Sequence, residues 1–473
     1  MASVHGCKDL HVRVVSRRLV MASDTSIEPH VVAVSNLDLL PQTIRVAMFC
    51  LYPKPPATAM SFDAVVATFD EAGLPSLLNH YFLLAGRIST NPSSGFPEVH
   101  CSNQGAELVV GEAAAGVALA SLNYAETSAS LRRIQLPYGD DVALSVQVVS
   151  FSCGGFTVAW STNHLLVDGR ALSSLVGAWS ELALSGKSPR CPAGRTSTAP
   201  CSGLARRRRM PPPPRSTRRS RRWSVDARSQ VNVLTFQQSF VERMYHVDAR
   251  PTSSGCARRR AETAGARLAS RPGGVGLPLE GPRRRGGRGG RTRCRMGWWV
   301  DGRPRLTSPP RGLRTRTAMR NCVGNVTTFV LREERVDDVA SGGAVERGRH
   351  ARRSRRRRTT STSRSWWTGW RSTRPSGYVE AACIGLGSPT MTVTSFATDT
   401  DFGFGAAAMA LPTSASTARS IAARPGEDSS WIASAFLWPQ LAAVLESDEP
   451  RVFRPVTAEY LGLSATQFLH SRI

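Results

Sequence analysis

Apolar positions recur along this chain with two periods, and together they predict a mixed architecture of strands and helices. Residues 31–41 (VVAVSNLDLLP) and 45–52 read as strand, turn and strand. Residues 61–71 and 75–85 read as helices, with Leu77, Leu78, Tyr81, Phe82 and Leu84 forming an apolar face. Leu144, Val146 and Val148 alternate with Ser145 and Gln147, the pattern of a half-buried strand. Gly154-Gly155 then turns the chain, and Phe156, Val158 and Trp160 alternate again, so a hairpin is expected. Directly after it, Leu172, Leu175, Val176, Trp179 and Leu182 repeat at helical spacing through Ala183. Towards the C-terminus, 391–396 reads as a strand, 431–438 as a buried apolar segment and 439–446 as a helix opened by Pro439. Strands and helices on both sides of a central stretch indicate α/β or α+β domains. No internal repeat is visible. No apolar run reaches the roughly 18 residues of a membrane span, and the first twenty residues lack a signal-peptide core.

Length and charge refine this picture. A chain of 473 residues is too long for one core and suits two domains of roughly 200 each. Ten Cys without a CxxC pair point to neither a zinc site nor a disulfide framework, and a reducing cytoplasm is the expected location. The formal charge of +26 suggests a nucleic-acid partner until its distribution is read. Residues 190–374 carry a balance of +34, and the remainder of the chain is −8. Only Lys8, Lys54 and Lys187 are lysines. The basic stretch holds Arg206 to Arg209, Pro211 to Pro214 and Arg355 to Arg358, with Trp366, Trp367 and Trp370 in no apolar period. Much of 190–320 and 341–376 therefore reads as out-of-frame translation of GC-rich coding sequence, with a basic disordered insert as the alternative. Two islands of ordinary composition interrupt it, at 231–249 and 321–340.

The candidate chemistry lies at Thr162-Asn163-His164-Leu165-Leu166-Val167-Asp168-Gly169, between the predicted hairpin and helix. A His at the mouth of a loop after a strand suits a group that accepts and returns a proton near neutral pH. Asp168, four residues on, suits a local backbone contact or an Arg partner, and Gly169 permits a tight bend. By residues alone, a satisfied core histidine is an equal reading.

HLLVDG at 164–169, followed by DFGFG at 401–405, resembles the plant BAHD acyltransferase family, whose signatures are HxxxD and DFGWG. VSRRLVMASD and VVAVSNLDLL within 15–40, LLAGRI at 83–88 and NCVGNV at 321–326 resemble the family in the same order. The resemblance implies two chloramphenicol-acetyltransferase-like α/β domains with a solvent channel between them, the second incomplete here. It divides the chain into an N-terminal domain at 1–188, an Arg/Pro-rich segment at 189–320 with its island at 231–249, and remnants of a second domain at 321–340 and 377–473. These remnants flank a second Arg-rich segment at 341–376. It implies acyl transfer from a coenzyme A thioester to a hydroxyl or amine of a small metabolite. His164 would be the general base and Thr394 the donor to the oxyanion. Asp168 would turn from the channel to pair with an Arg, and Gly169 would complete that motif. Asp401, Phe402, Gly403, Phe404 and Gly405 would form a structural loop propping the domain interface, with Phe404 where the family has Trp. Acyl-CoA is then a co-substrate, with no permanent cofactor and no metal. The expected protein is a monomer with neither a membrane nor a nucleic acid as partner, and its coenzyme phosphate ligands are not legible.

Other readings are weaker. Gly403-x-Gly405-x-x-Ala408 imitates a dinucleotide fingerprint but lacks its acidic partner in a βαβ context. Asn163-His164 departs from the HHxxxDG of peptide-synthetase condensation domains. An inactive acyltransferase-like product and a basic nucleic-acid-binding protein are the rival functions. Loss of part of the second domain is expected to leave 431–438 without partners.

Overall fold

The computed structural model describes residues 10–34, 38, 45–54, 61–126, 130–186, 241–247, 293–303, 322–335, 390–396, 400–414, 419–423, 430–437, 439–447 and 453–463. The N-terminal half opens with β1 (Val12–Val20), β2 (His30–Ala33) and β3 (Arg45–Tyr52). A helical run follows, made of α1 (Phe62–Ala67), a wide π-type turn (Thr68–Gly73), α2 (Leu74–His80) and a 3-10 turn (Phe82–Ala85). Then come β4 (Arg87–Thr90), β5 (Pro97–Cys101), β6 (Ala106–Ala113), α3 (Leu131–Ile134), β7 (Leu144–Ser150), β8 (Phe156–Asn163) and α4 (Gly169–Ser185). The second half contributes β9 (Val241–Val247), β10 (Arg293–Asp301), β11 (Thr327–Arg335), β12 (Thr390–Phe396) and β13 (Met409–Ser414). It ends with β14 (Arg419–Ala423), β15 (Trp431–Leu437), α5 (Pro439–Ser447) and β16 (Arg454–Pro455). No helix among the described residues is long and apolar enough to cross a membrane.

Three sheets organise these strands: a six-stranded one ordered β1-β6-β7-β8-β3-β13, a seven-stranded one ordered β11-β10-β12-β14-β15-β9-β16, and a small one ordered β2-β5-β4. The expected hairpin is β7 and β8, antiparallel with Val146 opposite Trp160. It is not half-buried. Both faces of β7 and β8 are covered, because the polar members of the alternation bond inward instead of facing water. Ser145 Oγ donates to Glu107 Oε2 at 2.9 Å, and Gln147 Nε2 donates to the Leu136 carbonyl at 2.6 Å. Buried polar groups with such partners cost little, so the strand can lie inside.

The helices expected over 61–71 and 75–85 form one nearly continuous run. Ser61 caps it, its Oγ accepting from the Ala64 N–H at 3.2 Å. Gly73 in the π-type turn lets α4 come close: a Cβ there would stand 2.2 Å from Trp179 Cη2. Phe69 stacks on Trp179 at 4.7 Å, with Trp160 beside them at 5.4 Å from Trp179.

Position in sequence does not assign the strands to domains. β13 belongs to the N-terminal sheet, antiparallel to β3 with Met409 opposite Leu51. On one side of that sheet, a core with Trp160 and Trp179 includes Phe402 and Phe404; on the other, Phe49 and Leu51 share a core with Met244, Ile432 and Leu461. Both cores therefore draw on both halves of the chain. The seven-stranded sheet draws on two further segments. The segment 189–320 supplies β10, which pairs antiparallel with β11 and parallel with β12. The segment 431–438, expected to lack partners, supplies β15, which pairs with β14 on one side and β9 on the other.

Candidate active site

β8 delivers His164 to the end of the N-terminal sheet. Asn163, its last residue, turns the chain: its Oδ1 accepts from the Leu165 N–H at 2.9 Å and its carbonyl from the Leu166 N–H at 2.9 Å. From Gly155 to Asp168 every residue is buried except His164, which stays partly exposed. The turn thus lifts one imidazole out of an otherwise covered stretch.

Asp168 closes the turn as the N-cap of α4, its Oδ1 accepting from the Ala171 N–H at 2.8 Å. Its other oxygen, Oδ2, accepts from Arg303 Nη1 at 2.8 Å and from the Val326 N–H at 2.9 Å. Arg303 is buried and also donates to the carbonyls of Gly324 at 2.7 Å and Cys322 at 3.0 Å. Burial alone lowers the guanidinium's proton affinity, but the Asp168 carboxylate outweighs it and the pKa is raised. Both carboxylate oxygens of Asp168 are thereby engaged, and the pair ties residues 322–326 of the second half to the His164 turn. One arginine of the basic stretch is thus spent inside the fold and offers no charge to a solvent-borne phosphate.

That tie brings Asn325 over His164. His164 Nδ1 lies 3.1 Å from Asn325 Oδ1. The Asn325 Nδ2 group faces acceptors throughout: Asp38 Oδ1 at 2.9 Å and the carbonyls of His164 at 2.7 Å and Leu165 at 3.2 Å. The amide is therefore oriented with its oxygen towards the ring, and Nδ1 carries the ring's proton. Nε2 is left as the basic nitrogen. Burial lowers the pKa of His164 below its ordinary 6.5, partly offset by backbone hydrogen bonds, the Asp168 charge and the contact with Asn325.

Asp401 lies at the other end of the N-terminal core. Its Oδ1 accepts from the N–H groups of Gly403 at 3.0 Å and Gly405 at 3.2 Å. Both glycines have positive φ, at 88° and 92°. Ser180 Oγ donates to the Asp401 carbonyl, and Tyr52 donates to that of Thr400 at 2.6 Å. Phe402 and Phe404 are buried against Tyr52, with centroids at 5.6 and 6.2 Å. The loop feeds β13 and no helix, so the imitation of a dinucleotide fingerprint has no helix N-terminus to offer a pyrophosphate. Thr394 lies in β12 opposite Ser420 of β14.

The structure joins His164 and Asp168 through one turn and sets Asp401 to Gly405 apart from them. Three contributors to the site were not singled out from the sequence. Asp38 and Asn325 lie within segments that carried the resemblance, VVAVSNLDLL and NCVGNV, but nothing local distinguished them. Arg303 was lost among its many neighbours; the signal for it was the apolar Trp298-Trp299-Val300 run leading into Asp301-Gly302-Arg303.

A model of the Transferase family matches residues 10–208. A pelargonidin-glucoside malonyltransferase of Salvia splendens is 38% identical over 121 residues, 24% of this chain and 28% of its own length. Vinorine synthase of Rauvolfia serpentina is 27% identical over 154 residues, 31% of this chain and 35% of its own. The matched sequence thus spans about a third of these relatives. The crystal structure of vinorine synthase matches with a TM-score of 0.54 at 16% identity, covering 96% of this chain and 98% of that one. F. graminearum TRI101, solved with coenzyme A and deoxynivalenol, matches with a TM-score of 0.61 at 15% identity, covering 90% and 99%. These likenesses show a shared two-domain, chloramphenicol-acetyltransferase-like α/β fold. Residues 10–208 of this chain match the Transferase family, and the structures of vinorine synthase and TRI101 share the chain's fold.

Proposed function

We propose that this protein is an acyl-CoA-dependent acyltransferase that moves an acyl group to the hydroxyl or amine of a small metabolite. The observation that carries the reading is the partly exposed His164 whose Nδ1 lies 3.1 Å from Asn325 Oδ1, an arrangement that leaves Nε2 to act as the base. Nε2 takes the acceptor's proton while the acceptor's oxygen or nitrogen bonds to the thioester carbonyl carbon. The carbon–sulfur bond then breaks, and Nε2 returns the proton to the departing thiolate. No covalent enzyme intermediate is needed.

Asp168 acts here by structure, holding residues 322–326 in place through Arg303 and the Val326 N–H. Thr394 is the proposed donor to the oxyanion of the tetrahedral intermediate; its strand packs beside α4, the helix that Asp168 begins. Asp401, Phe402, Gly403, Phe404 and Gly405 hold β13 in the N-terminal sheet and do no chemistry. Acyl-CoA serves as co-substrate, and the protein works as a cytoplasmic monomer. An assay of thiol release, with a panel of acyl-CoA donors and alcohol or amine acceptors, tests this. Release is expected from the parent chain and a fall of about 10²-fold or more in His164→Ala. No release from the parent supports the rival inactive protein, and unchanged release in the variant removes His164 from the mechanism.

A further inference from the structure

Asp38 carries out a task that neither motif describes. It is buried at 1% exposure, and its Oδ1 accepts two hydrogen bonds from one residue: the main-chain N–H of Asn325 at 2.6 Å and the side-chain Nδ2 at 2.9 Å. One carboxylate oxygen thereby grips both the backbone and the amide of the residue whose Oδ1 meets His164 Nδ1. A charged acceptor is the strongest of the three that Nδ2 meets, the others being neutral carbonyls. Turning the amide over would set its oxygen against Asp38 Oδ1 and those two carbonyls, acceptor against acceptor at each contact. It would also present Nδ2 to His164, and the ring would then have to move its proton from Nδ1 to Nε2, losing the basic nitrogen where the acceptor arrives.

We infer that Asp38 is a positioning residue: by clamping Asn325 in one orientation it determines which nitrogen of His164 carries the proton. The inference rests on the proposed role of His164 as base. It joins three distant stretches of the chain, since Asp38 and His164 belong to the N-terminal half and Asn325 to the second. Asp38 touches no reacting atom. Its effect is on the turnover step, through the fraction of enzyme in the competent tautomer, and leaves acyl-donor binding alone.

The test uses the full chain with Asp38→Leu, Asp38→Ala and the conservative Asp38→Asn. Histidine side-chain ¹⁵N spectra read the tautomer directly, with the His164 signals among the nine histidines assigned by their loss in His164→Gln. Wild type is expected to show the Nδ1–H form. Asp38→Leu should lose much of it, with kcat lowered roughly ten- to hundredfold and KM for the acyl donor within about twofold. Asp38→Asn keeps an acceptor for Asn325 and should restore most of both. Asp38→Ala carries the same expectation as Asp38→Leu should the larger side chain prevent folding. A folded Leu or Ala variant whose His164 stays in the Nδ1–H form overturns the inference, as does wild-type protein in the Nε2–H form. If wild type transfers no acyl group while its tautomer still depends on Asp38, the proposed function fails and the positioning role stands.

Discussion

At His164, burial and hydrogen bonding pull in opposite directions on proton affinity. Loss of water is the larger effect and lowers the pKa from 6.5, while the bond to Asn325 and neighbouring backbone oxygens raise it. The sign of the pH dependence follows. Above the ordinary imidazole value the ring is unprotonated and ready to act as base. Activity carried by it is lost only as pH falls through a pKa lying below 6.5. The acid limb of kcat/KM is therefore expected below pH 6.5, with a plateau at neutral pH, and a rate profile over pH 5–8 measures it. An acid limb centred above that value would contradict the burial of the ring. His164 and Asp168 were legible in the sequence because both sit in one short turn. Asp38, Asn325 and Arg303 were not, because each acquires its role only from a partner more than a hundred residues away in the chain.

Among the elements, alternation located strands well but misjudged their surroundings. Ser145 and Gln147 mark β7 as half-exposed by pattern, yet both are buried and bonded to Glu107 and Leu136. A period reports which residues share a face and is silent about what covers it. The run from α1 to α2 makes the same point. Sequence suggested a break near Gly73, whereas the glycine is there to admit Trp179 of α4. Gly73→Ala places a methyl group 2.2 Å from Trp179 Cη2 and 2.4 Å from the Thr68 carbonyl oxygen. The crowded π-type turn cannot give way without moving α4, so the variant is expected to be destabilised by about 1–3 kcal/mol, read from the urea midpoint at constant slope.

For the whole molecule, the decisive feature is that neither half closes its own core. β13 completes the N-terminal sheet, Met409 and Leu411 are buried beneath it, and Phe402 fills the aromatic core beside Trp160 at 6.3 Å. Residues 1–188 expressed alone are accordingly expected to aggregate or to melt without cooperativity. Losing Phe402 alone withdraws packing of the size seen in a Phe→Ala change, about 3–5 kcal/mol. Calorimetry of the fragment beside the full chain checks this, and a sharp fragment transition at the parent temperature would contradict it. By itself the sequence determined the local periods, the His164 turn, the DFGFG loop and the charge imbalance, since each is set by residues close together in the chain. Only the tertiary structure decided that β13 crosses into the first sheet, that β10 arises within the Arg-rich segment, and that Asp38 and Arg303 hold the site together. These are long-range pairings, and their energy comes from burial and from hydrogen bonds whose partners no local pattern encodes.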